Sequence, residues 1–267
     1  MQLRAEDIMK EAIILKPNNT LADARDIMLK YDISRIVVAN DNKPVGIVTE
    51  KSISRFLYRD GRPLDELRLD QVMRRDLITV NRDTSIKECA KTMLDNRISS
   101  LLVVDEKCYI FTKTDLIKVY AEHFKNKSKV RRYMVSNVYT VLPTHSLHRV
   151  LSILVRNKVS RVVVVRDNKP VGIITARDLL PTSMLIEVDA KLEEDLTYGN
   201  ASELAHVLLA RDVMKKPLTI NADADLADAA SIMINNKISG LPVVDKDNDL
   251  RGIITKTDII RALIELS

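Results

Sequence analysis

The sequence predicts an α/β (α+β) protein built from four copies of one small unit of strands and helices. The stretch Ile33–Thr49, ISRIVVANDNKPVGIVT, returns 126 residues later as VSRVVVVRDNKPVGIIT, with DNKPVGI identical in both. FTKTDLI, which begins at Phe111, returns as ITKTDII at Ile254. A chain that repeats itself in this way is built from stacked copies of a supersecondary unit, so function is expected where the copies meet.

A shared frame marks the four motifs, which are numbered 1 to 4 along the chain. The motifs open at methionines and their last strands close at threonines, in the order Met9, Met73, Met134 and Met214, and Thr49, Thr112, Thr175 and Thr255. Motif 1 is most similar to motif 3, and motif 2 to motif 4. We predict two modules, residues 1–124 with motifs at about 5–58 and 69–122, and residues 130–267 with motifs at about 130–181 and 209–266.

Motif 4 shows how each copy is expected to fold. LARDVMKKP predicts a helical turn that ends by Pro217, and LTI a short strand. ISGLPVVD and LRGIIT are typical of buried strands, DKDND of the turn between them, and KTDIIRALIEL of a closing amphipathic helix. The preceding helix is indicated by apolar residues at helical spacing, namely Leu226, Ala229, Ala230, Met233 and Ile234. So small a unit exposes apolar faces, so two must pack together.

Composition indicates a globular protein of the cytoplasm. The 267 residues are 46% hydrophobic and 30% charged, and the apolar runs are far shorter than the ~18 residues that a membrane span needs. Cys89 and Cys108 lack the spacing of a metal site or a disulfide framework. His145 and His148 are too few for a metal site, since three or four ligands are required. No metal and no membrane contact are therefore expected.

Charge and motif content argue against nucleic acid binding and catalysis. The net charge of +5 is mild, and the basic stretch Lys125–Arg132 is typical of a solvated linker. Trp is absent and aromatic residues are 4% of the chain, so surfaces for stacking on bases are scarce. There is neither a phosphate-binding P-loop nor a nucleophile in a recognisable elbow, and we expect no enzyme activity.

A Thr-x-x-Asp step joins the last strand to the last helix in three motifs. The pairs are Thr112 and Asp115, Thr175 and Asp178, and Thr255 and Asp258, whereas motif 1 has Ser52 at the acidic position. An ordinary capping box at a helix start has the same pattern. A carboxylate at a helix N-terminus can also accept hydrogen bonds from both hydroxyls of a ribose, and the free N–H groups there suit phosphate. Both interpretations remain open at this point.

The whole series, DVM, apolar strand, helix, ISxLPVV, turn, GIIT and TxxD, is similar to the cystathionine-β-synthase (CBS) domain. The resemblance covers nearly the whole chain, as four CBS motifs in two pairs, or Bateman modules. It implies an adenosine-ligand site between paired motifs, with the aspartate on the ribose and the threonine near phosphate. The arrangement of the four motifs also resembles the gamma subunits of AMP-activated protein kinase, which implies that the modules assemble as a flat disc.

The resemblance assigns a set of ligand positions to each motif. The assigned residues of motif 4 are Leu218, Ser239, Gly240, Thr255 and Asp258. Those of motif 3 are Tyr139, Ser160, Arg161, Thr175, Arg177 and Asp178. Those of motif 2 are Ile78, Ser99, Ser100, Thr112 and Asp115. Those of motif 1 are Ile13, Ser34, Arg35 and Thr49.

The four sites are not expected to be equivalent. Motifs 3 and 4 are predicted to be the main sites, since they keep the acid, the serine turn and a glycine in the last strand. Motif 2 is predicted to be weaker, because Tyr109 stands at the glycine position and would crowd the pocket. Motif 1 is predicted to be empty or atypical, because Ser52 has no carboxylate. Arg35 and Arg161 would donate to phosphates, or else lie over the strands as surface arginines.

The function expected from the sequence is that of a regulatory protein that binds AMP, ADP or ATP and uses no catalytic cofactor. Ligand binding would shift the population of module arrangements and so control an unknown protein partner. One alternative ligand is S-adenosylmethionine or another adenosyl compound, since the ribose chemistry is the same. The other alternative is nucleic acid binding by the basic stretch between the modules. Homo-oligomers are possible.

Overall fold

The computed structural model of the protein describes residues 3–59, 62–180 and 208–266. After the short strand β1 (Lys10–Glu11), motif 1 consists of β2 (Ile14–Leu15), α1 (Leu21–Lys30), β3 (Arg35–Asn40), β4 (Lys43–Thr49) and α2 (Glu50–Arg59). Motif 2 consists of α3 (Leu69–Val72), α4 (Ile86–Asp95), β5 (Ser100–Val104), β6 (Cys108–Thr112) and α5 (Lys113–His123).

Motifs 3 and 4 repeat this order. Motif 3 consists of α6 (Val130–Tyr133), β7 (Thr140–Val141), α7 (Leu147–Arg156), β8 (Arg161–Arg166), β9 (Lys169–Thr175) and a 3₁₀ turn at Ala176–Asp178. Motif 4 consists of α8 (Ala210–Val213), β10 (Ile220–Asn221), α9 (Leu226–Asn235), β11 (Gly240–Val244), β12 (Leu250–Thr255) and α10 (Lys256–Leu266). The predicted order of elements is confirmed. The first strand of motif 4, however, is Ile220–Asn221, which includes only the last residue of the predicted strand LTI.

The described residues form four three-stranded sheets, and the sheet of motif 2 takes its third strand, β1, from the start of motif 1. In motifs 1, 3 and 4, the central strand pairs in parallel with the short strand and antiparallel with the last strand. The turns of the two DNKPVG copies place Asp41, Asn42, Asp167 and Asn168 at positive φ. Asp and Asn tolerate that region and form tight hairpin turns, which explains why the repeated DN pair ends the central strand.

The opening segment of each motif packs on the sheet of the neighbouring motif. Arg74, which opens motif 2, exchanges backbone hydrogen bonds with Ile47 of motif 1, and β1, which opens motif 1, pairs with β6 of motif 2. Motifs 3 and 4 exchange their opening segments in the same way, through Val135 with Ile253 and Lys215 with Ile173. The exchange links motif 1 to motif 2 and motif 3 to motif 4 through the main chain.

Glycine in the last strand leaves room for this opening segment. A Cβ atom on Gly46 or Gly172 would overlap the side chain of Met73 or Met214, and one on Gly252 would lie 2.9 Å from the carbonyl oxygen of Val135. A Cβ atom does not approach other atoms so closely, so any larger residue at these positions must displace the opening segment.

Contacts divide the chain into two compact units that differ from the predicted modules 1–124 and 130–267. The even-motif unit comprises Met1–Ala12, Ile78–Val138 and Pro217–Ser267, and the odd-motif unit comprises Ile13–Leu77 and Tyr139–Lys216. The cause is helix packing, since α5 packs on α9 and α10 in the even-motif unit and α2 packs on α7 in the odd-motif unit. The boundary at residues 124–130 is therefore not the boundary between compact units. Pairing of the motifs into the two predicted modules stays a prediction.

The two units are built around different cores. One continuous apolar cluster joins motifs 2 and 4 and includes Phe111, Tyr120 and Met233, all fully buried. The odd-motif unit has two separate clusters, one that includes Met28 of motif 1 and one that includes Leu154 of motif 3. Met28, Met93 and Met233 all belong to these cores, since each has zero exposure. No helix in the described part of the chain is long and apolar enough to span a membrane.

Candidate functional site

The Thr-x-x-Asp steps form capping boxes in all three motifs that have the acid. The Oδ2 atom of Asp178 accepts hydrogen bonds from the Thr175 backbone N–H at 2.8 Å and from its hydroxyl at 2.6 Å. The corresponding distances are 2.9 and 2.6 Å for Asp258, and 2.9 and 2.9 Å for Asp115. The capping interpretation is thus satisfied, but it uses one oxygen of each carboxylate.

The second oxygen of each carboxylate contacts a cation. Lys10 Nζ lies 2.7 Å from Asp115 Oδ1, Lys215 Nζ lies 2.7 Å from Asp178 Oδ1, and the Arg261 guanidinium lies 2.7 Å from Asp258 Oδ1. The carboxylates are almost buried, with side-chain exposures of 7%, 5% and 4%, whereas the three cations are 64%, 68% and 53% exposed. A buried carboxylate requires such a partner. A carboxylate oxygen has two lone-pair sites, so Oδ1 can accept a further hydrogen bond.

The cations come from two different places in the chain. Lys10 and Lys215 each follow the methionine of an opening segment that packs on the neighbouring motif. The segment that packs on motif 4 has Val135 at this position, and there Arg261 of α10 takes over from within the motif. Each of the three Thr-x-x-Asp carboxylates therefore has a cationic partner, from either source.

The structure brings the serine turn of each motif to the same helix start. The serine carbonyl accepts a hydrogen bond from the backbone N–H of the first residue after the closing threonine, at 3.1 to 3.3 Å. The four pairs are Ser34 and Glu50, Ser99 and Lys113, Ser160 and Ala176, and Ser239 and Lys256. The next turn residue lies opposite the threonine in the sheet, in the pairs Arg35 and Thr49, Ser100 and Thr112, Arg161 and Thr175, and Gly240 and Thr255.

In motifs 1 to 3, the first of the assigned ligand positions lies across the central strand from the helix start. The carbonyl groups of Ile13, Ile78 and Tyr139 accept hydrogen bonds from N–H groups of the central strands, at 3.2, 3.3 and 3.0 Å. Tyr139 and Leu218 are exposed large apolar residues, at 42% and 44%. Tyr139 and the closing Thr175 lie on opposite sides of the central strand β8, so a ligand that contacts both must be longer than a ribose.

Motifs 1 and 2 depart from this arrangement as their sequences indicate. In motif 1 the Ser52 hydroxyl accepts a hydrogen bond from the Thr49 N–H at 3.2 Å, so the cap is kept without a charged acceptor. In motif 2, Tyr109 lies opposite Val103, the register position of glycine in the other motifs. Its ring packs under the Arg82 guanidinium at 5.5 Å. The weaker site in motif 2 stays a prediction.

A cavity in the odd-motif unit contains the motif 3 acid. Its volume is about 190 Å³. It is lined by Met28, Leu29, Asp32, Arg177, Asp178, Val213 and Lys215. Sequence reasoning identified Arg177 and Asp178 but missed the other five, because α1 of motif 1 and the opening segment of motif 4 supply them. The signal for Lys215 was the basic residue that follows the opening methionine in motifs 1, 2 and 4.

Arg177 ties the motif 3 site to motif 1. Its Nε atom donates to Glu50 Oε1 at 2.6 Å, and its Nη1 atom forms an ion pair with Asp32. Burial raises the pKa of Glu50, and Arg177 partly offsets that rise. Next to Glu50, burial lowers the pKa of Lys51, and the positive charges of Arg161, Arg35 and Arg55 lower it further. A cluster of cations therefore surrounds the helix start of motif 1.

The equivalent helix starts of the even-motif unit are joined by uncharged acceptors. Lys113 Nζ donates to the Thr257 hydroxyl at 2.9 Å, and Lys256 Nζ donates to the Thr114 hydroxyl at 2.7 Å. Lys113 and Thr257 occupy the positions of Glu50 and Arg177. The same contact is thus an ion pair in one unit and a lysine–threonine hydrogen bond in the other.

Two further candidates have structural partners. In the basic stretch, Arg131 pairs with Asp223, and Arg132 lies 3.2 Å from Glu265. His145 Nδ1 accepts a hydrogen bond from the Leu142 N–H at 3.0 Å. Within residues 3–59, 62–180 and 208–266, no group of three His, Cys, Asp or Glu side chains is arranged to hold a metal ion.

Comparisons with known proteins show the family and the fold of the chain. The family model of the CBS domain matches residues 5–59, 69–122, 130–183 and 210–265. Protein MJ1225 of Methanocaldococcus jannaschii is 27% identical over 94% of this chain and 95% of its own length. Its crystal structure is described as that of a proposed archaeal homologue of g-AMPK. The match covers 98% of this chain and 100% of the MJ1225 chain, with 26% identity and a TM-score of 0.86.

A plant relative matches half of the chain. CBSX2 of Arabidopsis thaliana is 31% identical over 49% of this chain and 60% of its own length. The match to its crystal structure in complex with AMP covers 52% of this chain and 97% of the CBSX2 chain in that structure, with a TM-score of 0.41. The family model accounts for most of the sequence in four segments, and so this chain belongs to the CBS domain family, with four copies of the domain.

Proposed function

We propose that this protein is a regulatory protein of the cytoplasm that binds an adenine nucleotide, AMP, ADP or ATP, and controls a protein partner without catalysis. Binding would occur at the Thr-x-x-Asp steps, mainly in motifs 3 and 4. The ribose hydroxyls would donate to Oδ1 of the aspartate, and the phosphates would lie at the helix start. The ligand favours the arrangement that it fits best, and the partner responds to that arrangement.

One observation carries this proposal. In each of the three steps the cap uses Oδ2, while Oδ1 of an almost buried carboxylate faces an exposed cation. A helix cap requires neither the burial nor the second charge, since Asp23 caps α1 through the same Thr-x-x-Asp pattern while exposed to solvent. The second oxygen therefore has the features of a ligand acceptor. The MJ1225 likeness supports the same class of protein.

The ligand of second choice is S-adenosylmethionine or another adenosyl compound, because it offers the same ribose to the same acid. Nucleic acid binding has less support, because Arg131 and Arg132 of the basic stretch pair with acids of motif 4. Such binding would depend steeply on salt and would fall when Lys127, Lys129, Arg131 and Arg132 are neutralised.

The identity of the ligand is tested by mass spectrometry of small molecules released from the purified protein. We expect AMP, ADP or ATP in amounts that fall when Asp178 and Asp258 are both replaced by Asn. Asp23→Asn is the matched control, since it alters a cap with no proposed ligand. Release of S-adenosylmethionine alone would favour the second choice, and equal nucleotide recovery from all three proteins would contradict the proposed site.

A further inference from the structure

The opening segments of all four motifs are attached to the neighbouring motif by the same two main-chain hydrogen bonds. In motif 3, the N–H groups of Val130 and Arg131 donate to the carbonyls of Ala224 and Ala222 in motif 4, at 3.0 and 2.8 Å. The corresponding donors of motifs 1, 2 and 4 are Ala5 and Glu6, Leu69 and Asp70, and Ala210 and Arg211, at 2.7 to 3.0 Å. A difference in the strength of attachment must therefore come from the side chains.

The segment that opens motif 3 is polar where the equivalent segments are apolar. The first residue of the neighbouring helix donates its N–H to the carbonyl of Ser128 here, and to that of Leu3, Leu67 and Leu208 in the other motifs. The residue before the opening methionine is Tyr133 here, and Ile8, Val72 and Val213 in the other motifs. The closing helix α5 has Tyr120 where α2 and α10 have Leu57 and Leu263.

These three hydroxyl groups are buried close together. Tyr120 has zero exposure, Tyr133 7% and Ser128 9%. The Tyr133 hydroxyl donates to Glu265 Oε2 at 2.6 Å. Within the described residues, the hydroxyls of Tyr120 and Ser128 form no well-aligned hydrogen bond, although they are near enough for Ser128 to oppose part of the rise by which burial takes the pKa of Tyr120 to about 12. Buried hydroxyls without a partner gain hydrogen bonds when water enters, so they favour detachment of the segment.

Exposed ion pairs add to the attachment of this segment. Arg131 pairs with Asp223, and Arg132 lies 3.2 Å from Glu265. All four side chains are at least half exposed. Such pairs contribute little and are screened by salt, since the Debye length falls from about 10 Å at 0.1 M to about 3 Å at 1 M. This attachment is therefore weaker than the packing of a leucine, and more sensitive to salt.

The ligand acid of motif 4 does not depend on this segment for its cation. In motifs 2 and 3 the acid is paired with a lysine of an opening segment. The segment that packs on motif 4 has Val135 at that position, and Asp258 is paired instead with Arg261 of its own helix. Release of the segment would thus break the main-chain bonds between Val135 and Ile253 and leave Asp258 paired.

We propose that residues 124–135 form a releasable strap, which detaches from motif 4 in a local opening more readily than the other three opening segments detach from their neighbours. Regions with few buried apolar contacts open at a lower free energy than the rest of a protein. The opening breaks the main-chain link between motifs 3 and 4 and keeps a paired acid at the motif 4 site. The strap opens in ligand-free protein, so its release is independent of the proposed adenine-nucleotide binding.

Hydrogen–deuterium exchange of the whole ligand-free chain, resolved by residue with NMR, tests the strap. Relative to their intrinsic rates, the amides of Val130 and Arg131 should exchange at least about fivefold faster than the equivalent amides of the other three segments. Exchange should quicken further between about 0.1 M and 1 M salt. In the variant Tyr120→Phe with Ser128→Ala, which removes both hydroxyls, it should slow at least about fivefold, the effect of one unpaired hydroxyl, while the equivalent amides of motif 2 stay the same.

A second variant has the opposite expected effect. Arg131→Gln with Arg132→Gln removes the ion pairs, so exchange at Val130 should quicken at low salt and lose its dependence on salt.

Three results would overturn the strap. They are exchange at Val130 no faster than at the equivalent amides, no slowing in the variant without the two hydroxyls, and equal slowing in all four segments. Melting curves show whether each variant is folded, and if the hydroxyl variant fails to fold, the comparison of the four segments in unaltered protein still decides. None of these results changes the proposed function, which the nucleotide affinity of Asp258 variants tests separately.

Discussion

Replacement of Asp258 by Ala distinguishes two possible roles of this aspartate, binding the ligand and capping the helix. The residue is 2% exposed, and its Oδ2 atom accepts both hydrogen bonds of the cap from Thr255. The Ala variant loses the cap, at about 1 kcal/mol of stability. Its partner Arg261 is 53% exposed, so no buried charge is left unpaired.

The loss of ligand affinity should be larger than the loss of the cap. Hydrogen bonds to a charged acceptor contribute about 1.5–3 kcal/mol each, and about 1.4 kcal/mol corresponds to a factor of ten in Kd. Even one lost ribose hydrogen bond therefore weakens nucleotide binding in motif 4 by at least about tenfold. Calorimetry with AMP, ADP and ATP measures this change, and a thermal melt measures the stability of the same protein.

Asp23→Ala is the matched control within the same chain. Asp23 caps α1 through an identical step, with Thr20 N–H to Oδ2 at 2.8 Å and Asp23 N–H to the Thr20 hydroxyl at 3.1 Å. It should lower stability by a similar amount and leave nucleotide affinity unchanged. If both variants lose stability and neither loses affinity, the Thr-x-x-Asp aspartates are helix caps alone and the reasoning about Oδ1 is refuted.

Three further predictions concern stability and reactivity. Gly252→Ala should cost about 1–3 kcal/mol of stability, since the new methyl group meets the carbonyl oxygen of Val135, and this backbone atom cannot move aside as a side chain can. A denaturant melt with no shift would contradict this. Burial raises the pKa of Glu50, so the folded protein binds this proton more tightly than the unfolded chain does. The free energy of unfolding should therefore fall as the pH rises from the ordinary pKa of a glutamate to the higher pKa of Glu50 in the folded protein. Glu50→Gln should remove that fall in melts measured across the acid range. Cys89 and Cys108 are buried, and burial raises the pKa of Cys89 to about 12, so thiol reagents should label them only on unfolding; rapid labelling of native protein would refute this.

The repeats and the local elements could be read from the sequence because each has a local signal. The DN turns require positive φ, the helices have apolar spacing, and the Thr-x-x-Asp step marks the helix start. In the structure the serine turn lies beside the step, as the contacts of Ser160 with Ala176 and of Arg161 with Thr175 show. Each of these signals depends on residues close in sequence.

The partners of each motif had no such signal. The closing helices are amphipathic, and an apolar stripe specifies burial without specifying the other surface, so the packing of α5 against α9 and α10 was not predicted. The sequence shows that motif 2 is most similar to motif 4, but it does not show that these two motifs share a core, as they do in the structure. The cations Lys10 and Lys215 were missed because they lie in opening segments that pack on another motif. Asp32 and Glu50 were visible only as a change of charge between repeats. The flat disc stays a prediction.

Binding of adenine nucleotides to ligand-free protein tests the central claim most directly. Calorimetry should follow AMP, ADP, ATP and S-adenosylmethionine with unaltered protein and with the variant in which Asp115, Asp178 and Asp258 are all replaced by Asn. We predict heat of binding for at least one of the three nucleotides and its loss in the variant. No heat with any of the four compounds, or equal heat with both proteins, would contradict the assignment of this protein as an adenine-nucleotide sensor.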